Sequence, residues 1–139
     1  MARKFRGPEI VKEIDEMLDK GLARFVFLTQ AKLSRSSPIK TGRLASSWFI
    51  GMDQPNREVE PERSEPGPVT ITKDYTAKEI TMKHNWWISS NLPYSQRAAL
   101  DPGYVGRSGG GAGDWFTRIG NNLPNDAERA FDYFLKKVR

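Results

Sequence analysis

A chain of 139 residues without a cysteine excludes disulfides, thiolate metal sites and cysteine catalysis, and its length makes a single domain over residues 1–139 the default. The 37% apolar fraction reaches the usual globular range only when the 12 glycines are added, so the chain reads as globular with exposed loops. Twenty-two basic against 17 acidic residues leave a net charge of +5, too dispersed for a dedicated DNA binder. No apolar run approaches the ~20 residues of a membrane span, and the basic start Arg3, Lys4 and Arg6 has no apolar segment behind it, which argues against a secretory signal.

Residues 1–7 read as a loose basic arm. Pro8 suits the first position of a helix, and Glu9 suits its positive end. From Glu9 to about Ser34, Val11, Ile14, Leu18, Leu22, Phe25, Thr29 and Leu33 recur in steps of three and four, which predicts an amphipathic helix about 40 Å long. Ile10, Met17, Val26 and Leu28 flank this stripe. After Gly21 the run Phe25, Val26, Phe27, Leu28 leaves little polar face, so the second half should be buried or lie in an interface. Gly21 is compatible with close backbone packing, a slight kink, or plain tolerance.

Ser37 to Trp48 forms a corner. Pro38 cannot continue a helix, Thr41 can cap a new turn, Gly42 permits a tight backbone, and Leu44 and Trp48 share a face if residues 42–47 make a short helix. Trp48–Met52 reads as a strand covered on both faces. Residues 53–68 hold four prolines and four glutamates and should stay irregular, either as a flexible surface loop or as an arm that orders against a neighbouring subunit.

Val69–Thr72 alternates like a strand. Thr76-Ala77-Lys78-Glu79 matches a capping box for a short helix over 77–83, although Ile80, Met82 and His84 also alternate. Trp86–Ser90 reads as a strand with aromatic residues on both faces. Asn91–Tyr94 turns the chain, Ser95–Leu100 forms a short helix, and Asp101-Pro102-Gly103 ends it. Residues 106–113 make a glycine-rich loop, and Asp114 caps a turn through Trp115, Phe116 and Ile119. Pro124 then opens a last helix, with Ala127, Ala130, Phe131, Phe134, Leu135 and Val138 on its apolar face. Asp126 and Glu128 at its start and Lys136, Lys137 and Arg139 at its end match the helix dipole.

Motifs for chemistry are weak. Gly106-Arg107-Ser108-Gly109-Gly110 fits G-x-S-x-G, but a nucleophile elbow needs a strand before it and a helix after it, and the sole histidine, His84, lies upstream instead of downstream. The glycines lack the Gly-Lys-Ser/Thr ending of a phosphate loop. Glu58, Glu60, Glu62 and Glu65 could gather a hard cation, but Arg57, Arg63 and the prolines oppose a fixed cage. The expectation is therefore no catalytic residue, no cofactor and no metal. Arg35, Lys40 and Arg43 ring the corner and are the candidate DNA-facing residues, suited to a phosphate backbone and not to base readout.

The corner Pro38-x-x-Thr41-Gly42-x-Leu44-x-x-Ser47-Trp48, following a long helix, resembles the neck and tail-completion proteins of tailed bacteriophages, including the minor-tail-protein-Z-like and tail-component families. Ile88-Ser89-Ser90-Asn91-Leu92-Pro93-Tyr94-Ser95-Gln96 resembles a second block of that family, a strand ending in Asn-x-x-Pro-Tyr-Ala, with Ser95 in place of Ala. The resemblance covers roughly residues 8–105 and favours the helix over 77–83. It implies a structural virion protein in a ring, sixfold in the family, at the junction between DNA-filled head and tail. The implied partners are copies of itself, the portal, adaptor or stopper, and tail-terminator or tube proteins, with non-specific contact to channel DNA. The expected fold is α+β, with long N-terminal and C-terminal helices on a small, mainly antiparallel sheet. Phe25, Phe27, Leu28, Trp48, Trp86, Trp87 and Tyr94 are the candidate subunit-interface residues. A small basic nucleic-acid-binding domain is the alternative, and a steep loss of DNA affinity with salt would distinguish it.

Overall fold

The first helix, α1, runs unbroken from Gly7 to Ser36. The structure, a computed structural model, describes residues 7–38, 42–100 and 115–136. The basic arm, Lys40, Thr41, the glycine-rich loop with Ser108, Asp114 and the last three residues lie outside that set. After α1 come strands β1 (Phe49–Met52) and β2 (Trp86–Ser89), then helices α2 (Ser95–Leu100) and α3 (Trp115–Leu135). Two long helices with a two-stranded antiparallel sheet make this an α+β fold.

The strands pair Phe49 with Ser89, Ile50 with Ile88, Gly51 with Trp87 and Met52 with Trp86. Side chains alternate across a strand, so Ile50, Met52, Trp86 and Ile88 share one face and Phe49, Gly51, Trp87 and Ser89 the other. A two-stranded ribbon is marginal alone and needs a helix to cover it. Here Ala23 and Val26 of α1 join Ile50 and Ile80 in one buried cluster. The opposite face is covered at Gly51, where an added Cβ would stand 2.2 Å from the Gln54 carbonyl and 2.6 Å from the Asn56 nitrogen. Both faces of β1 are therefore covered, as its continuous apolar run predicts.

The helix α3 runs back along α1, with Trp115 packing near Leu33 and Phe131 lying over Gly21. A Cβ on Gly21 would meet the Phe131 ring at 2.4 Å, so close packing, among the readings open for this glycine, is the one observed. Lys32 pairs with Asp126 across the same interface at 2.5 Å.

Beyond the corner, three expected elements differ. Val69–Thr72 is not a strand, because its backbone is held by side chains instead of a ladder. The Thr70 N–H donates to Ser46 Oγ (2.9 Å), and the Thr72 carbonyl accepts from Gln30 Nε2 (3.0 Å). The capping box at Thr76 forms, with Glu79 Oε1 accepting from the Thr76 N–H at 2.9 Å, yet only a turn follows it. The groups a helix would need are engaged elsewhere: the Met82 N–H donates to Asp19, and the Thr81 carbonyl accepts from Trp86 Nε1. Finally, Pro124 does not open a helix but lies inside α3. A proline ring presses on the carbonyl four residues earlier. That residue is Gly120, whose backbone adapts readily because it carries no side chain.

Candidate assembly surface

The corner is built on a buried polar stripe of α1. Gln30, Ser34 and Ser37 are almost fully buried, at helical spacing. Ser34 Oγ donates to the Ala45 carbonyl (2.7 Å), and Gln30 Nε2 to the Trp48 carbonyl (2.8 Å). Ser37 Oγ accepts from Trp48 Nε1 (2.9 Å) and donates to the Leu33 carbonyl (2.6 Å). Each bond satisfies a group that would cost free energy if buried unpaired. Gly42 has φ +89°, a left-handed conformation that glycine adopts without strain. Residues 43–46 form a single turn closed by the Ser46 N–H on the Gly42 carbonyl, in place of a short helix.

The irregular segment 53–68 folds back onto this corner. Arg63 donates to the Pro68 carbonyl (2.8 Å) and to Ser46 Oγ (3.3 Å), and pairs with Glu60 (3.1 Å). Arg43 Nε donates to the Glu60 carbonyl (2.9 Å). Asn91 Nδ2 donates to the carbonyls of Asn56 (2.6 Å) and Glu58 (2.8 Å). The segment is thus a latch over the corner, made by side chains to backbone and not by secondary structure. Glu60 is occupied by Arg63, and among the described residues no three His, Asp or Glu side chains gather as a metal site. No helix among the described residues is long and apolar enough to cross a membrane.

The two motif blocks meet in space. Leu44 of the first and Leu92 of the second share a buried cluster with Ala98, against which Tyr94 packs. Ser47 Oγ and Ser90 Oγ are 2.6 Å apart, and the Arg43 guanidinium stands 6.0 Å from the centre of the Tyr94 ring.

Away from the corner lies an apolar groove of about 530 Å³. Leu22, Phe25, Thr29 and Leu33 of α1 form one wall. These are the stripe positions read from the sequence. The buried positions of α1 overlap this wall at Val26, Thr29 and Leu33 and extend past it to Ala23, Gln30 and Ser34. Trp48, Trp86 and Ile88 form the floor, and Phe116, Ile119, Gly120 and Leu123 of α3 form the far wall. His84 closes one end. Its Nδ1 lies 2.8 Å from Asp53 Oδ2, and the Asn85 N–H donates to Asp53 Oδ1 (3.0 Å). The Asn85 hydrogen bond, then the one to His84, hold the Asp53 carboxyl below its ordinary range.

Of the candidate interface residues, Phe25, Trp48 and Trp86 line the groove. Trp48 is 6% exposed, packed against Trp115 and Phe116 with its N–H bonded to Ser37, so it is core, with only a small part of its surface facing the groove. Trp86 is half-buried and donates to the Thr81 carbonyl. Phe27 packs on the core beneath Lys73. Tyr94 packs on the corner cluster. Trp87 and Leu28 are exposed, on other faces. Of the candidate DNA-facing residues, Arg35 is exposed, Arg43 is half-buried against the latch, and Lys40 lies outside the described residues. The buried polar stripe and the latch escape a periodicity analysis. Polar residues at 30, 34 and 37, continuing a buried helical face, were the available signal. Set against family models, curated proteins and solved structures, the chain finds no match.

Proposed function

We propose that this protein is a structural subunit of a ring at the neck of a tailed bacteriophage, joining the DNA-filled head to the tail. One observation carries the reading. The two sequence blocks that resemble the neck and tail-completion proteins, about 40 residues apart, pack as one unit through Leu44, Leu92 and Ser47–Ser90. Residues that recur together in a family are expected to form a shared structural element, and these do. The role assigned is mechanical. The polar latch rigidifies the corner, and the apolar surface beyond it meets other subunits, with copies of the chain, the portal, adaptor or stopper and the tail-terminator or tube proteins as partners. Deleting the gene from the phage and imaging the lysate tests the reading. Filled heads separated from finished tails are expected, and normal virions would overturn it.

A further inference from the structure

Val69, Thr70, Ile71 and Thr72 are all β-branched, the composition that strands favour, yet no ladder forms there. The side-chain bonds that hold this stretch follow β1 residue by residue. The Thr70 N–H donates to Ser46 Oγ at 2.9 Å. Gln30 Nε2 donates to both the Trp48 carbonyl (2.8 Å) and the Thr72 carbonyl (3.0 Å). Asn56 Nδ2 donates to both the Ile50 carbonyl and Asp74 Oδ2, each at 3.2 Å. Residues 46, 48 and 50 therefore stand beside 70, 72 and 74, in the same direction and in steps of two. The edge they follow is the outer one. The Asp53 N–H donates to the Asn85 carbonyl (2.6 Å), so by alternation Gly51 and Phe49 bond β2, whereas Ile50 and Trp48 turn their backbone groups away from it.

We propose that residues 70–74 are a switchable third strand, which closes onto β1 as a parallel ladder when the Gln30 and Asn56 side chains leave the gap. The observed register supplies that ladder without a slip. It would join the Thr72 N–H to the Trp48 carbonyl, the Ile50 N–H to the Thr72 carbonyl and the Asp74 N–H to the Ile50 carbonyl. The amides of Thr72 and Asp74 donate to no acceptor among the described residues. Parallel neighbours need a connection of a dozen residues or more, and 53–69 supplies about 17. Closure also puts Lys73 on the same face as Ile50, towards α1, where its Nζ already stands 5.4 Å from the centre of the Phe27 ring.

The open arrangement carries a penalty. Gln30 is 1% exposed, and its Oε1 is buried without a hydrogen-bond partner while Nε2 serves two carbonyls. Closure replaces a two-stranded ribbon, which is marginal, by three strands. The latch controls the second wedge. The Asn56 carbonyl accepts from Asn91 Nδ2 (2.6 Å), so a contact that lifts the latch also withdraws the Asn56 side chain from the edge of β1. The device stands whether or not the ring reading holds.

Amide hydrogen exchange on the full chain, followed by NMR, tests this. Gln30→Met keeps side-chain length and helix preference but removes the donor, which leaves the Trp48 and Thr72 carbonyls to be satisfied by the ladder. The Thr72 amide should then exchange roughly 3- to 10-fold more slowly than in the parent chain, the factor that one net hydrogen bond supplies, while the amides of α1 are not slowed. A through-bond coupling from the Thr72 N–H to the Trp48 carbonyl should appear. Asn56→Ala removes the other wedge and should slow the Asp74 amide in the same way; it decides alone if Gln30→Met does not fold. Unchanged or faster exchange at the amide tested, in either folded variant, would overturn the proposal.

Discussion

Around the corner, Gln30 Oε1 is the one buried side-chain polar atom without a hydrogen-bond partner among the described residues, and the backbone of residues 56–70 is held by Arg43, Ser46, Arg63 and Asn91. Across the sheet, Phe25, Ile119 and Leu123 line an open groove and are only partly covered. One side of the molecule is held largely by its own hydrogen bonds, whereas the other leaves apolar surface open. Hydrogen bonds suit the first because their geometry fixes a shape, and apolar burial suits the second because it is non-directional and scales with area removed from water. Hydrogen-bonded packing and open apolar surface thus lie in different parts of the molecule, with Trp48 at the boundary between them.

Paired truncations sharpen the contrast. Trp48→Ala removes a buried aromatic that packs against Trp115 and Phe116 and bonds Ser37, and should cost about 3–5 kcal/mol. Phe25→Ala removes a half-covered ring on the groove side and should cost only about 1 kcal/mol, part of the transfer free energy of full burial. Urea titration of both variants checks the order. Equal losses would mean that the groove wall is as well packed as the corner.

Next in size is Gly42→Val. The left-handed φ costs a β-branched residue about 1–3 kcal/mol, and the new Cβ would stand 2.9 Å from the Gly67 carbonyl. The melting midpoint should fall, and amides of residues 60–70 should exchange faster, because the same glycine seats the latch. A lowered midpoint with unchanged exchange there would separate the turn from the latch.

What the sequence made legible follows from these forces. Spacing in steps of three and four located α1, and aromatic, β-branched runs located β1 and β2, since both signals come from apolar burial. Gly42 was readable because one residue type dominates left-handed backbone. The latch was not readable. Its bonds run from Arg63, Arg43 and Asn91 to carbonyls, acceptors that every residue carries, so composition shows only a polar, proline-rich stretch. Val69–Thr72 misled for the same reason: its alternation is real, but Ser46 and Gln30 supply the bonds that a strand neighbour would otherwise make. Pro124 misled because proline suits a helix start, whereas α3 already begins at Trp115 and carries it inside. The groove was half-legible. Phe25 and Trp86 were singled out as interface residues, but its far wall depends on α3 running unbroken from Trp115.

The smallest effect expected is one of acid. Asp53 sits where β1 ends, with φ +62°, and its carboxylate accepts the Asn85 N–H and faces His84 at the mouth of the groove. These contacts lower its pKa from the ordinary 3.8. A group whose folded pKa is depressed stabilises the fold above its unfolded pKa and loses that contribution as pH falls through the folded value. Glu79, lowered from 4.5 by the Thr76 N–H and hydroxyl, behaves alike. Both are exposed, so each contribution is small and screened by solvent. The melting midpoint should therefore hold near neutrality and decline below about pH 4, where these carboxylates take up protons. Asp53→Asn isolates the charge, since asparagine also tolerates left-handed backbone and keeps an oxygen for the Asn85 N–H. The variant should lose a little stability at neutral pH and show a shallower acid decline, with Asp53→Asn/Glu79→Gln shallower still. Thermal melts at low salt from about pH 6 to pH 3 measure this. An acid limb identical to that of the parent chain would show that the loop bearing His84 and Asn85 is held to β1 by the sheet ladder and by packing around Trp86, and that the Asp53 charge plays no part in closing this end of the groove.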